Sequence, residues 1–187
     1  MALYVFFGLI ATGKSALARV WADRHGLAYF NSDVVRKELA GLAPTARRQE
    51  AVDKGIYTPD FSARTYDALL AKGEAEIRAG RGGVLDASYQ KRAERERVRA
   101  LARRLGFPVY FVLCVCPEPV VRERLARRAV DPAAVSDGRW EVYLRQKERF
   151  ELPTELEPDE LVTIETAGPV EGTVVRLSAA LRKIEAG

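Results

Sequence analysis

The stretch GLIATGKSALA, Gly8 to Ala18, decides the fold. Gly8, Gly13, Lys14 and Ser15 fall at the spacing G-x-x-x-x-G-K-[ST], and the apolar run Leu3–Phe7 leads straight into it. The spacing has a chemical reason. Glycines let the backbone wrap close to a phosphate, so that N–H groups along Gly8, Leu9, Ile10, Ala11, Thr12, Gly13, Lys14, Ser15 and Ala16 can turn inward. The following helix adds the positive end of its dipole. Lys14 would then reach the β- and γ-phosphates of a nucleotide, and Ser15 would offer its hydroxyl to Mg²⁺. A chance glycine-rich turn would match the same letters. Here, however, a strand precedes the motif, and Lys14–His25 reads as a helix with Leu17, Val20 and Trp21 at helical spacing.

Outward from the loop, short apolar runs alternate with segments of helical period. Strands are expected at Leu27–Asn31, Gly83–Asp86, Pro108–Cys116 and Leu161–Glu165. Helices are expected at Asp33–Ala40, Ser62–Ala79, Lys91–Leu105, Glu118–Arg128, Arg139–Phe150 and Val170–Ile184. Leu42–Phe61 has no clean period and reads as loops and turns. This alternation predicts βαβ units, a parallel sheet and helices on both of its faces. No repeat or linker divides residues 1–187, so a single domain is expected.

Composition narrows the class. Of 187 residues, 48% are hydrophobic and 30% charged, as in ordinary globular proteins. No apolar run approaches the ~20 residues that span a bilayer. The N-terminus lacks a basic n-region, so no secretory signal, no membrane and a cytoplasmic location are expected. Cys114 and Cys116 alternate along one strand and point to opposite faces, which argues for reduced, buried thiols. The net charge of +4 suits a handler of phosphates without demanding nucleic acid.

Beyond the loop, three groups of residues carry chemistry. Asp33 follows the second strand, and parallel sheets place their sites at the carboxyl ends of strands. Ser32 or Asp33 could serve only as a helix cap, but Arg36 lies three residues on, along the same helical face. An aspartate that takes a hydroxyl proton beside an arginine that holds an anion is what phosphoryl transfer to an alcohol needs. Asp86 ends the third strand, where a carboxylate can hold Mg²⁺ or orient an acceptor. The run VVRERLARR after the fourth strand sets Arg124 and Arg128 on one face, and AVDPAAVSDG then separates two helices, as a lid over approximately 122–140 would require. The basic helix KRAERERVRALARR, with its interspersed glutamates, reads as a solvated outer face, and Tyr57 as a pocket-lining candidate. The DxxG and NKxD signatures of GTPases are absent.

GLIATGKSALA, NSDVVRKELAG, GGVLDASYQKRAER and VVRERLARR, in that order, resemble the AAA_33 group of small phosphate-loop kinases. That group is related to polynucleotide 5′-hydroxyl kinase and, more distantly, to zeta-toxin and chloramphenicol phosphotransferase. The resemblance implies ATP and Mg²⁺ as donor and cofactor, Asp33 as general base, Arg36 assisting at the acceptor side and Asp86 within the active site. It also implies that Arg128, and after it Arg124, meets the transferred phosphoryl group. The loop after the fifth strand commonly touches adenine in this fold, which nominates Gly168, Pro169 and Val170. The expected architecture is a three-layer P-loop NTPase of the nucleotide-kinase kind, with a five-stranded parallel sheet in the order 2-3-1-4-5 and a helical lid. The expected activity is transfer of the γ-phosphoryl group of ATP·Mg to a hydroxyl of a small molecule. The alternatives are a polynucleotide 5′-hydroxyl kinase and a non-catalytic nucleotide-binding switch or partner module.

Overall fold

The computed structural model describes residues 1–43, 55–130 and 139–185. Five parallel strands, β1 (Leu3–Phe7), β2 (Ala28–Asn31), β3 (Gly83–Asp86), β4 (Val109–Val115) and β5 (Leu161–Glu165), lie in the order β2-β3-β1-β4-β5. The helices are α1 (Lys14–His25), α2 (Ser32–Leu39), α3 (Pro59–Arg78), α4 (Arg92–Leu105), α5 (Glu118–Val130), α6 (Trp140–Arg149) and α7 (Val170–Glu185).

Alternation along the strands splits the core into two layers. Leu3, Val5 and Phe7 of β1 and Phe111 of β4 bury with Leu69 of α3 and Val98 and Leu101 of α4. Phe6 of β1 and Val112 and Cys114 of β4 turn the other way, against Leu17 and Trp21 of α1 and Leu177 of α7. Because helices cover both faces, the central strands are apolar throughout. Among the described residues, no helix is long and apolar enough to cross a membrane. Cys114 is buried, Cys116 is half-buried, and both are free thiols.

Element ends differ from the sequence expectation where a capping side chain decides them. Helix α2 is capped by Asn31, not by Ser32 or Asp33: its side chain accepts from the N–H groups of Asp33 and Val34. Helix α3 starts earlier than Ser62, because Thr58 caps it and Pro59 opens the first turn. This leaves a short 3-10 turn at Gly55–Tyr57 inside the stretch read as loop. Residues 44–54 of that stretch, and residues 131–138 of the expected lid, lie outside the described residues.

The basic helix α4 corrects a second expectation. Val98, Leu101 and Ala102 face inward as its period requires, but Arg95 and Arg99 are buried too. Arg95 is fully buried against Glu155, with Nε 2.5 Å from the carboxylate. It also donates to the carbonyls of Tyr89 and Gln90 and lies over the rings of Phe7 and Phe150. Arg99 is held by Glu96 and Glu160. The glutamates that suggested a solvated face are therefore only part of the pairing; the rest comes from the segment before β5.

Breaking a buried pair by removing one member leaves an uncompensated charge. Glu155→Ala is expected to cost about 3–5 kcal/mol, read from the urea midpoint. A loss below about 1 kcal/mol, the scale of an exposed pair, would contradict the burial described.

Candidate active site

Strand order fixes where the site forms. From β1 the chain runs to β2 and β3 on one side and to β4 and β5 on the other. In open parallel sheets the site forms at the carboxyl ends of the strands beside such a reversal. The loop after β1 lies there.

Two glycines make that loop possible. Gly8 sits at φ +133°, and a Cβ there would lie 2.5 Å from the carbonyl oxygen of Cys114. Gly13 sits at φ +87°, where a Cβ would meet Arg124 Nη1 at 3.0 Å and Thr166 Oγ1 at 3.1 Å. The loop is held from several sides. Gly8 N–H donates to the Ser88 carbonyl (3.3 Å), and the Thr12 hydroxyl to the Leu9 carbonyl (2.8 Å). The Thr166 hydroxyl bonds the Thr12 carbonyl. Lys14 folds back over the loop, with Nζ 3.5 Å from the Leu9 carbonyl. Helix α1 begins at Lys14, so Lys14 and Ser15 stand at its N-terminus, half-buried, with Ala16 exposed beside them.

Opposite the loop stand two carboxylates. β2 and β3 pair in parallel with Asn31 beside Asp86. Asn31 Nδ2 donates to Asp86 Oδ2 at 2.6 Å, and the Tyr29 hydroxyl donates to the same oxygen at 2.6 Å. Burial, reinforced by Asp86, holds the Tyr29 hydroxyl in its protonated, donating form. Asp86 is fully buried, and its other oxygen, Oδ1, has no hydrogen-bond partner. A buried carboxylate oxygen without a partner is costly, which makes Oδ1 a candidate ligand atom.

Asp33 lies in the first turn of α2, placed there by the Asn31 cap. Burial pushes its carboxyl above the ordinary carboxylate range; Lys14, Arg36 and Lys37 pull against that rise and Asp86 adds to it. Asp33 therefore shares one field with the phosphate-loop lysine and with Asp86.

The arginines divide. Arg36 is buried; its Nη1 donates to the Ile56 carbonyl (2.7 Å) and to Ser62 Oγ (3.1 Å), and its guanidinium lies over the Tyr57 ring at 5.1 Å. It thus ties α2 to the turn before α3 while lying close enough to lower Asp33. Arg124 points to the back of the loop, donating to the carbonyls of Ala11 (3.3 Å) and Thr166 (2.5 Å), with Cys116 Sγ at 3.4 Å. Arg128, one turn on, lies within the field of both carboxylates. Burial and then Arg124 push its guanidinium below the usual arginine range, and Asp33 and Asp86 counter them. Gly168 and Pro169 are exposed just past Thr166, with Val170 half-buried at the start of α7.

Lys14, Asp33, Asp86 and Arg128 thus share one field, Ser15 stands beside Lys14 at the N-terminus of α1, and Arg36 and Arg124 act as ties at the two margins. Sequence reasoning missed Tyr29 and Asn31. Their signal was available: two polar side chains near the end of a strand that pairs beside Asp86. Among the described residues, no group of three or more His, Cys, Asp or Glu could hold a metal. Mg²⁺ needs no such cage, since it keeps several waters and takes one or two carboxylates with substrate phosphates. The partnerless Asp86 oxygen and the Ser15 hydroxyl fit that donor set.

A model of the AAA_33 family, described as an AAA domain, matches residues 3–153. An uncharacterised protein of Mycobacterium tuberculosis is 27% identical over 167 residues, which cover 87% of this chain and 31% of that protein. The chain thus spans about a third of that relative's length. An adenylate kinase of Synechococcus sp. is 28% identical over 184 residues, 95% of this chain and 97% of its own. Among solved structures, a sugar kinase from Janibacter sp. aligns with a TM-score of 0.70 at 21% identity, over 97% of this chain and 94% of that one. The fold is that of the small P-loop kinases.

The raised Asp33 pKa makes a stability prediction with a definite sign. The folded state binds this proton more tightly than the unfolded one, so ionised Asp33 costs stability above its raised pKa and costs nothing below the ordinary carboxylate range. Asp33→Asn is expected to raise the thermal midpoint at neutral pH. The gain should shrink as pH falls through the raised pKa. A midpoint that drops, or a gain that does not vary with pH, would contradict the desolvated placement of Asp33.

Proposed function

The chain belongs to the AAA_33 family, and on that premise we propose that it is an ATP-dependent kinase that phosphorylates a hydroxyl of a small molecule. The observation that carries the reading is that Asp33 and Asp86 share one field with Lys14: burial pushes one carboxylate above the ordinary range, and Asn31 and Tyr29 lock the other with one oxygen left without a hydrogen-bond partner.

The phosphate loop, Gly8 to Ala16, and Lys14 hold the β- and γ-phosphates. The adenine lies toward Gly168, Pro169 and Val170, with Arg124 bracing the wall between that loop and the phosphate loop. Ser15 and Asp86 would hold Mg²⁺, which when bound would supply positive charge to offset that of the phosphates. The acceptor hydroxyl approaches between Asp33 and Arg36. Its oxygen bonds to the γ-phosphorus as the bond from that phosphorus to the β–γ bridging oxygen breaks. ADP leaves with the electron pair, and the hydroxyl proton passes to Asp33. A base poised above the usual carboxylate range suits that proton transfer. Arg128 offsets the charge shared among the phosphoryl oxygens.

Two facts favour an alcohol on a small molecule. A phosphate acceptor, as the name adenylate kinase denotes for the cyanobacterial relative, has no hydroxyl proton for a base to take; the Janibacter structure is that of a sugar kinase. The basic helix α4 is a poor track for a nucleic-acid backbone, because Arg95 and Arg99 are buried and Arg92, Arg97 and Arg104 pair with Glu96, Asp67 and Glu74.

A panel of sugars, other polyols, nucleosides and short oligonucleotides, scored by ADP release, tests the proposal. A small polyhydroxy compound should stimulate turnover, and Asp33→Asn should lower that turnover about 100- to 10,000-fold with ATP binding retained. Stimulation by oligonucleotides alone, falling steeply with salt, would replace this reading with a polynucleotide kinase. Full acceptor-dependent activity in Asp33→Asn would remove Asp33 from the mechanism.

A further inference from the structure

Helix α6 touches the phosphate loop through a residue with no part in the chemistry above. The backbone N–H of Ile10 donates to Gln146 Oε1 at 2.7 Å, across 136 residues of sequence. Ile10 is 8% exposed, so this N–H has little access to water and needs a protein partner. The carbonyl of the same peptide unit, that of Leu9, is the one Lys14 Nζ approaches at 3.5 Å. In a trans peptide the C=O and N–H point in opposite directions. Gln146 therefore holds this peptide plane from one side, and the Thr12 hydroxyl (2.8 Å) with Lys14 beside it holds it from the other.

Two residues of α6 and the residue that caps its end follow the chain from β1 into the loop. Phe150, the extended C-cap of α6, stacks on Phe7 at the end of β1 with centroids 6.3 Å apart. Gln146 takes Ile10. Tyr143, three residues before it, packs in one cluster with Ile10 and Ala11. The exit of α6 is tied as well: Glu151 N–H donates to the Gln90 carbonyl (2.9 Å), and Arg92 N–H to Glu151 Oε2 (2.5 Å). At its entrance, Arg122 of α5 lies 4.2 Å from the Trp140 ring centroid, and in its last turn Lys147 pairs with Glu118 at 3.0 Å. Helix α6 is thus fixed to α5 on one side and to the loop after β3 on the other.

We infer that Gln146 is a positioning residue: it locks the Leu9–Ile10 peptide so that its carbonyl faces Lys14, and it makes the loop's grip on nucleotide phosphates depend on the placement of α6. Of the residues facing the loop along α6, Gln146 alone offers a side-chain carbonyl to a backbone N–H. Leucine or methionine in its place fills similar space and accepts nothing. Glutamate still accepts, and more strongly.

The inference rests on the kinase reading only in taking the loop's ligand to be ATP, so two readouts separate them. The first is the dissociation constant of ATP·Mg without acceptor, measured by calorimetry. Gln146→Leu should weaken it about tenfold or more, and Gln146→Glu should stay within about threefold of the parent. Gln146→Met substitutes for the leucine variant if the latter does not fold. The second is hydrogen exchange at the Ile10 amide in the ligand-free protein. It should speed up in the leucine or methionine variant and remain slow in the glutamate variant. An Ile10 amide still protected without Gln146, or ATP affinity unchanged in the leucine variant, overturns the inference; so does a glutamate variant as weak as the leucine one. A parent protein that binds no ATP would defeat the kinase reading and leave the exchange experiment to decide this one.

Discussion

One amide group sets the relation between the two carboxylates of the site. Asn31 accepts the N–H groups of Asp33 and Val34 with Oδ1 and donates to Asp86 with Nδ2. The first interaction starts helix α2 and so places Asp33. The second turns Asp86 so that Oδ1 is left without a partner. Among capping residues, only asparagine carries acceptor and donor on one rigid plane. Aspartate would cap as well but would set a second charge against Asp86. Serine could not span both jobs, since its hydroxyl has a single oxygen. The parallel register that lays Asn31 beside Asp86 is thus part of the chemistry as well as of the fold.

The phosphate loop is embedded in a similar web of buried polar contacts. Its start is held by the Ser88 carbonyl, its middle by Gln146 and its end by Thr166 and Arg124. Behind Ser88, the carbonyls of Tyr89 and Gln90 rest on Arg95, itself paired with Glu155. Buried ion pairs contribute little net stability, because desolvation offsets attraction. Here they fix the turn that follows Asp86. The structure therefore spends buried charge where the geometry of the phosphate loop and of β3 has to be held.

Much of this was legible in the sequence for identifiable reasons. The motif letters Gly8, Gly13, Lys14 and Ser15, lying between an apolar run and an apolar-faced helix, fixed the place of the phosphate loop. The five strands stood out because each is short, apolar and bounded by turn residues, and the order β2-β3-β1-β4-β5 is as expected. The family resemblance agrees with the match over residues 3–153. What stayed hidden depended on contacts between distant segments. Arg95 looked solvated because Glu155 lies 60 residues away. Gln146 sits in the charged run LRQKER, where no local pattern marks it as a partner of Ile10. The cap on α2 belonged to Asn31, although Ser32 and Asp33 are equally good capping types, because only Asn31 was already positioned by β2.

The central claim is that Asp33 prepares a hydroxyl, so the fate of the γ-phosphoryl group tests it most directly. ATP labelled in that group would be incubated with the protein and a small-molecule extract, and the labelled product typed by its stability in hot acid. The account predicts label in an acid-stable phosphomonoester, and none there with Asp33→Asn. Label in an acid-labile phosphoanhydride, or released only as free phosphate in the presence of the extract, would contradict it.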